Sequence, residues 1–227
     1  MGYNDCNGVL FTEFEYMSDR KTHWEKVYRN KSPLAVSWFQ EEPTLSLRLI
    51  RNAGFNRDAP LIDVGGGASR LVDGLCKDGF TNISVLDVSG QALAHAKLRL
   101  GEKALGVKWY EADVTEFNPP HRFSLWHDRA VFHFLTAKED RNRYVEVLNH
   151  ALKPGGHLII MAFAINGPIK CSGLDIVQYD VEKMKAELGE NFDLIENGIE
   201  VHITPAANEQ KFAYFHFTKS TEDNPAS

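Results

Sequence analysis

The 227-residue sequence lacks the features of a secreted, membrane-spanning or nucleic-acid-binding protein. No apolar run approaches the ~18 residues that a membrane span needs, and residues 1–16 have neither the basic start nor the apolar stretch of a secretory signal. Binding to phosphates needs clustered Lys and Arg, yet no basic run exceeds two residues and the net charge is −6. We therefore expect a cytoplasmic protein that binds neither membranes nor nucleic acid.

Cysteine is scarce and isolated. The chain has Cys6, Cys76 and Cys171, with no C-x-x-C pair. An odd number of separated cysteines is typical of reduced, mostly buried thiols and not of a disulfide framework or a zinc site. The sequence thus predicts no metal centre. Its acidic charge balance favours a small or cationic ligand, or a protein substrate, as the partner.

From Leu61 onward, β-rich runs alternate with amphipathic helical patterns. This alternation predicts an α/β, Rossmann-like, doubly wound sheet that is mostly parallel. The last two strand-like runs are close enough in sequence to form an antiparallel hairpin at the C-terminus. The predicted strands are Leu61–Val64, Ile83–Asp87, Val107–Ala112, Phe123–His127, His157–Ala164, Leu194–Ile203 and Phe212–Thr218.

Helix signals lie between these strands. A helix follows the glycines after the first strand, and Ser89 and Asp180 are expected to cap two others. Thr136 opens an S/T-x-x-E capping box, so we expect it to cap a helix that ends at Pro154.

The first part of the chain differs in character from the rest. Residues 1–58 contain no strand-like run, and Pro43 opens a helical pattern there. We expect one domain of 227 residues in which 1–58 form an N-terminal helical cover, 59–219 form the core and 220–227 form a polar tail.

The junction from Asp63 to Gly67 is the first site where chemistry is expected. Gly65, Gly66 and Gly67 let the backbone turn sharply and bring a ligand against the main chain at the carboxyl edge of the sheet. A dinucleotide site wants a third spaced glycine, where this chain has Arg70. A site for S-adenosylmethionine instead needs an acid just before the turn, which Asp63 supplies. A purely structural turn is the alternative.

Two further acids follow the next two strands. Asp87 lies 20 residues after Gly67, where a carboxylate can accept hydrogen bonds from both ribose hydroxyls, with Val88 beside it. Asp113 can accept from an adenine amino group while Val114 packs on the ring. One acid at a strand end is often only a helix cap, but three beside one glycine turn favour a cofactor crevice.

These residues resemble the class I S-adenosylmethionine-dependent methyltransferases. The resemblance covers roughly residues 24–218 and rests on the motifs at 63–69, Asp87, 112–114 and 152–156. It implies a seven-stranded sheet whose last strand is antiparallel, S-adenosylmethionine as cofactor and S-adenosylhomocysteine as product. Ser69 replaces the usual third glycine of the family, and a small residue there still lets the backbone approach the ligand.

A narrower resemblance is to protein-lysine methyltransferases that act on citrate synthase and elongation factor 1A, and to their bacterial relatives. It rests on Trp24, Tyr28, Trp38 and the stretch 127–133. In such relatives the N-terminal aromatic residues help to close over the cofactor, where cation–π attraction to a sulfonium and exclusion of water support the chemistry. Plain core packing is the alternative for these aromatic side chains.

The end of the fourth strand is the expected position of the reacting groups. His127 and Asp128 are predicted to contact cofactor or substrate, Asp128 to orient an acceptor nitrogen, and His133 to remove its proton. Asp128 and Arg129 forming an ion pair, and His133 being a buried structural imidazole, are the alternatives. The loop 166–179 is expected to help select the acceptor.

The expected function is methyl transfer to a nucleophile, with nitrogen of a protein lysine or of a small-molecule amine favoured over sulfur or oxygen. A nicotinamide-dependent oxidoreductase is disfavoured, because Arg70 replaces the third glycine and Asp113 has no role in such a site. A non-catalytic module that binds the cofactor remains an alternative, since intact acids argue only for binding.

Overall fold

The computed structural model describes the backbone of residues 3–4, 10–11 and 13–221, and the side chains of residues 20–221. Cys6 and nearly all of the predicted tail lie outside the described residues. Cys76 is half-buried and Cys171 is buried, and both are free thiols, as expected. Within the described part of the chain, no helix is long and apolar enough to cross a membrane.

One seven-stranded sheet organises the chain, and it confirms the predicted fold class. The strands run in the order β3-β2-β1-β4-β5-β7-β6, and β7 is antiparallel to both of its neighbours. Every strand predicted from the sequence is present, with small differences at the ends. Their bounds are β1 Leu61–Val64, β2 Ile83–Asp87, β3 Val107–Glu111, β4 Phe123–Arg129, β5 Leu152–Phe163, β6 Phe192–Ile203 and β7 Glu209–Lys219.

The described residues include six α-helices, and the side chains of the strands alternate between two cores. Ile62 and Val64 pack into the core that includes Tyr144. Leu61 packs into the opposite core beside Leu49. The helices are α1 Glu13–Asn30, α2 Thr44–Asn52, α3 Leu71–Lys77, α4 Gly90–Leu100, α5 Lys138–Ala151 and α6 Val181–Leu188.

The order of the strands reverses at β1. β1 pairs in parallel with β2 on one side and with β4 on the other, so the turns that follow β1 and β4 diverge. Crevices at such switch points are where ligands bind in α/β sheets. The register also places Asp63 beside His127, and Val64 beside Asp128.

The helix signals were right at two caps and wrong at one. The side chain of Ser89 accepts a hydrogen bond from Ala92 N, and that of Asp180 accepts one from Lys183 N. Helix α5 begins at Lys138 with Ala137 in the capping position and no side-chain cap, so Thr136 does not cap it. The chain turns into the helix one residue later than the capping box requires.

Strand β5 starts five residues earlier than the predicted strand. Phe123 pairs with Leu152 and Leu125 pairs with His157, so residues 153–156 form a bulge between two paired positions. Pro154 has no N–H to donate, and a bulge is where a strand tolerates this loss. Residues 152–156 therefore follow the end of α5 at Ala151 and also lie inside β5.

The structure also contains short strands that the sequence patterns did not predict. Tyr3–Asn4 pairs with Leu10–Phe11, so the expectation that residues 1–58 contain no strand was wrong. Lys170–Cys171 pairs with Leu174–Asp175 in the loop after β5, and we call residues 170–175 the loop hairpin. Two-residue strands are too short for a pattern of alternation to reveal.

The two caps allow a matched test of stability. We expect Asp180→Ala to lower the free energy of unfolding by about 1 kcal/mol, because it removes the only side-chain acceptor at the start of α6. Thr136→Ala removes no cap hydrogen bond and should leave stability within about 0.5 kcal/mol. Urea unfolding of both variants checks this, and equal losses would contradict the assignment of the caps.

Candidate active site

A cavity opens at the carboxyl ends of β1, β2, β3 and β4, beside the switch point. Its wall combines strand ends with one face of α1, the segment after α1, the loop hairpin and strand β7. The lining residues are Arg20, Trp24, Tyr28, Trp38, Val64, Gly65, Leu86, Asp87, Val88, Ala112, Asp113, Val114, Arg129, Ala130, Val131, Phe134, Leu135, Cys171 and Phe212.

A second cavity lies on the other side of the glycine turn. It shares Tyr28, Trp38, Val64, Gly65 and Arg129 with the first, and its lining residues also include Asp63, Gly66 and His127. The two cavities therefore adjoin at the glycine turn, and we call them together the cleft. Of the predicted cofactor residues, only Gly67 and Asp128 line neither cavity.

The glycine turn packs too closely for side chains. Gly65 adopts a φ of +66°, and a Cβ at this position would overlap the side chain of Val131. A Cβ at Gly66 would overlap the Asp63 carboxylate, and one at Gly67 would overlap the Asp87 carboxylate. The glycines therefore bring two carboxylates against bare backbone. Gly67 lines neither cavity, but its lack of a side chain makes room for the Asp87 carboxylate.

Asp63 belongs to a buried chain of polar groups. Its Oδ1 lies 2.7 Å from His127 Nδ1, and His127 Nε2 lies 2.9 Å from Ser46 Oγ on α2. All three side chains are almost fully buried. Asp63 Oδ2 has no hydrogen-bond partner among the described residues. A buried carboxylate oxygen without a donor is costly, and it can accept a hydrogen bond from a ligand.

Asp87 and Asp113 line the first cavity, and we call the part of that cavity beside them the acidic end. Asp87 Oδ1 accepts a hydrogen bond from Ser89 N at 2.8 Å, and burial raises the pKa of this carboxyl to about 7. Asp113 Oδ1 accepts from Thr115 N at 2.9 Å and caps a short 3-10 helix. Asp113 Oδ2 lies 3.4 Å from Arg20 Nε. Asp113 is thus a cap and part of the cavity wall at once.

Aromatic rings form much of the remaining wall. The ring of Trp24 meets Trp38 edge-on at 5.6 Å and Phe134 at 5.0 Å between centroids. Trp38 Nε1 donates to Tyr28 Oη at 3.3 Å. Trp38 and Phe134 also pack with Cys171 and Phe212 in one apolar cluster. We call the part of the cavity walled by Trp38, Phe134, Cys171 and Phe212 the aromatic end.

Asp128 points away from the cleft. It is fully buried and accepts hydrogen bonds from Val131 N at 2.8 Å, from Phe132 N at 3.2 Å and from Tyr144 Oη at 2.7 Å. Burial raises the pKa of this carboxyl to about 6. The carboxylate holds the turn after β4, so the geometry does not support the predicted role in orienting an acceptor.

His133 lies one layer behind the cavity wall. It is fully buried, its ring stacks on Phe163 at 4.8 Å, and Phe163 N donates to its Nδ1 at 3.3 Å. Burial lowers the pKa of this imidazole to about 3. Phe134 and Phe212 line the cavity in its place. A histidine that does not reach the cleft and binds a proton weakly is poorly suited to remove one from an acceptor.

Several lining residues were missed by the sequence analysis, among them Arg20, Phe134 and Phe212. Arg20 precedes Trp24 by four residues and Tyr28 by eight, so one face of α1 carries all three, and this spacing was available as a signal. Phe134 and Phe212 had none, because they are brought to the cavity by a 3-10 turn and by the C-terminal hairpin.

Comparison with known proteins agrees with this architecture. Residues 62–158 match a family model described as a methyltransferase domain. The chain is 26% identical over 193 residues to EEF1A lysine methyltransferase 2 from Homo sapiens, which covers 78% of this chain and 75% of the relative. The relative of the same name from Danio rerio is 24% identical over 157 residues, covering 62% of this chain and 66% of the relative.

Solved structures show the same fold at low sequence identity. The 1,6-didemethyltoxoflavin N1-methyltransferase of Burkholderia thailandensis, with S-adenosylhomocysteine bound, superposes with a TM-score of 0.69 at 17% identity, covering 96% of this chain and 98% of that one. The glycopeptide N-methyltransferase MtfA, also with S-adenosylhomocysteine, gives 0.61 at 15%, covering 80% and 91%. The family model and these relatives support a class I S-adenosylmethionine-dependent methyltransferase, and the solved structures show that the chain has the fold of one.

The glycine turn allows a matched test of packing. Gly67→Ala should lower the free energy of unfolding by about 1–3 kcal/mol, because the new Cβ would overlap Asp87 and lie 2.8 Å from the buried Cβ of Ala92. Gly106→Ala meets nothing within 4 Å and should cost no stability. Thermal unfolding of the two variants checks the difference, and an unaffected Gly67→Ala would mean that the turn is looser than described.

Proposed function

We propose that the cleft holds S-adenosylmethionine with its adenosine at the acidic end and its methionine part along the glycine turn. The unpartnered Oδ2 of Asp63, buried against Gly66, carries this proposal, since it offers a hydrogen-bond acceptor to a cationic amino group. Asp87 and Val88 would bind the ribose, and Asp113 and Val114 would bind the adenine. His127 would support the ligand indirectly, by fixing the orientation of Asp63.

The cofactor, when bound, supplies a methyl group on a cationic sulfonium. The residues of this chain would then bind, align and shield. Trp24, Tyr28 and Trp38 would close the cleft with aromatic rings, which attract a cation and keep water away. In α1, which carries two of them, Arg20 lies beside Asp113 and Lys21 forms an ion pair with Glu111. This arrangement supports the predicted cover formed by residues 1–58.

We propose nitrogen as the acceptor atom. The EEF1A lysine methyltransferases and the two N-methyltransferase structures support this choice. At the aromatic end, burial raises the pKa of the Cys171 thiol to about 11 and that of the Tyr28 phenol well above its usual range. Both groups stay neutral and are poor bases. Neither group would remove a proton at neutral pH, so this part of the cleft suits an acceptor nitrogen that arrives without an extra proton, as an aromatic or heterocyclic nitrogen does.

Transfer of an isotopically labelled methyl group tests this function. The purified protein is incubated with labelled donor and either a cell lysate or a panel of small amines, and the labelled products are identified. We expect label on nitrogen, and Asp87→Asn should reduce the rate. Label only on oxygen or sulfur would contradict the nitrogen assignment. Binding of S-adenosylhomocysteine without label in any product would instead favour a non-catalytic binding module.

The affinity for S-adenosylhomocysteine should depend on pH through Asp87. Its pKa of about 7 means that the carboxyl is protonated below pH 7 and ionised above it. The ionised form accepts hydrogen bonds from both ribose hydroxyls, so we expect affinity to rise between pH 6 and pH 8 and then level off. Calorimetry at several pH values checks this. Asp87→Asn should bind more weakly at pH 8 and remove the rise, and an unchanged rise would show that another group causes it.

A further inference from the structure

Arg129 is the one described cation at the aromatic end of the cavity. It closes strand β4 and lines both cavities of the cleft. Side chains alternate along a strand, so Arg129 shares the face of His127 while Asp128 turns to the other face, towards Tyr144. The guanidinium lies 4.7 Å from the centroid of the Phe212 ring, and its side chain is only 11% exposed.

The guanidinium is not saturated by the protein. Nη1 donates to Trp38 O at 3.2 Å, but Nε and Nη2 are buried and have no hydrogen-bond partner among the described residues. The nearest carboxylate oxygen, Glu200 Oε2, lies 3.6 Å from Nη2 and has no hydrogen-bond partner either. Glu200 thus balances the charge of Arg129 as a loose ion pair at 3.6 Å, and the two adjacent donors Nε and Nη2 make no hydrogen bond of normal geometry among the described residues.

The groups around Arg129 come from segments outside β1 to β3. Trp38 precedes α2, and Phe212 and Glu200 belong to the C-terminal hairpin. The other cation that lines the cavity, Arg20, lies at the acidic end beside Asp113. This separation puts Arg129 at the aromatic end, away from the acids that we assign to adenosine, and we place the acceptor at this end.

We propose that Arg129 binds a carboxylate of the methyl acceptor, so that the preferred acceptor is a small aromatic or heterocyclic amine carrying a carboxylate. This inference rests on the proposed function of the cleft. The adjacent Nε and Nη2 donors of an arginine match the two oxygens of a carboxylate, and the aromatic walls fit a flat apolar body. A lysine side chain of a protein substrate brings a cation instead and gains nothing from this arginine.

The same chemistry has a second source, the methionine carboxylate of the cofactor. The test therefore uses protein saturated with S-adenosylhomocysteine, in which that carboxylate is already in place. The probes are benzoate and 3-aminobenzoate, each compared with its amide by calorimetry. We expect the wild-type protein to bind a carboxylate probe about 10- to 100-fold more tightly than its amide, as hydrogen bonds to charged groups predict.

Three variants separate recognition from folding. Arg129→Lys keeps the charge but loses the paired donors, so it should lose most of the preference for the carboxylate. Glu200→Gln removes the competing carboxylate and should preserve or increase that preference, which damage to the fold would not do. Arg129→Met combined with Glu200→Gln leaves no buried charge unpaired and should abolish the preference. Arg51→Gln breaks an exposed ion pair with Asp78 and serves as the control.

Each outcome supports or overturns the inference. Equal binding of carboxylates and amides, or no binding of either to the saturated wild-type protein, overturns it. An unchanged preference in Arg129→Lys and in the double variant also overturns it. If the double variant instead loses about tenfold or more in affinity for S-adenosylhomocysteine, the carboxylate is the cofactor's own and the acceptor assignment fails. Failure of the wild-type protein to bind S-adenosylhomocysteine at all would reject the proposed function itself.

Discussion

The arrangement of the cleft depends on the buried carboxylate of Asp128. It binds two backbone N–H groups of the turn after β4 and the hydroxyl of Tyr144, and Tyr144 also accepts a hydrogen bond from Trp126. The turn contains Ala130 at a φ of +73°, a conformation that costs energy for a residue with a Cβ. Hydrogen bonds to a desolvated carboxylate are strong enough to hold such a turn. Removing them would release the segment that carries the cavity wall.

From this turn the two halves of the cleft become linked. Val131 packs over Gly65, where no side chain other than hydrogen fits. Arg129, two residues before Val131, reaches the aromatic end. Gly65 begins the glycine turn, whose backbone lies against the carboxylates of Asp63 and Asp87. One contact between neighbouring loops at the switch point therefore links the position of the glycine turn to the position of the turn after β4. This link is a steric contact between Val131 and Gly65 and involves no charged group.

The sequence predicted the strands and their acids well because local patterns encode both. Asp63, Asp87 and Asp113 lie at or just after the ends of β-rich runs, and parallel strands bring their carboxyl ends to one edge. Asp128 and His133 were harder to interpret, because β4 continues to Arg129, two residues beyond its predicted end. That extension sets which side chain alternates towards the cleft, and it favours Arg129 over Asp128. His133 then lies in a 3-10 turn, whose orientation depends on packing against distant strands and has no local signature.

The face of α1 over the cleft has a mixed attachment. At the rim, Lys21 and Glu111 form an ion pair in which both side chains are about half exposed, and such pairs contribute little in water and less at high salt. Deeper in, Trp24 contacts rings that belong to the cavity itself. This face of α1 is thus held weakly at the solvent-exposed rim and more firmly beside the cavity, where a ligand would lie. A bound ligand would then contribute much of the free energy that keeps α1 closed over the cleft. The protein would therefore be most ordered with its ligand bound.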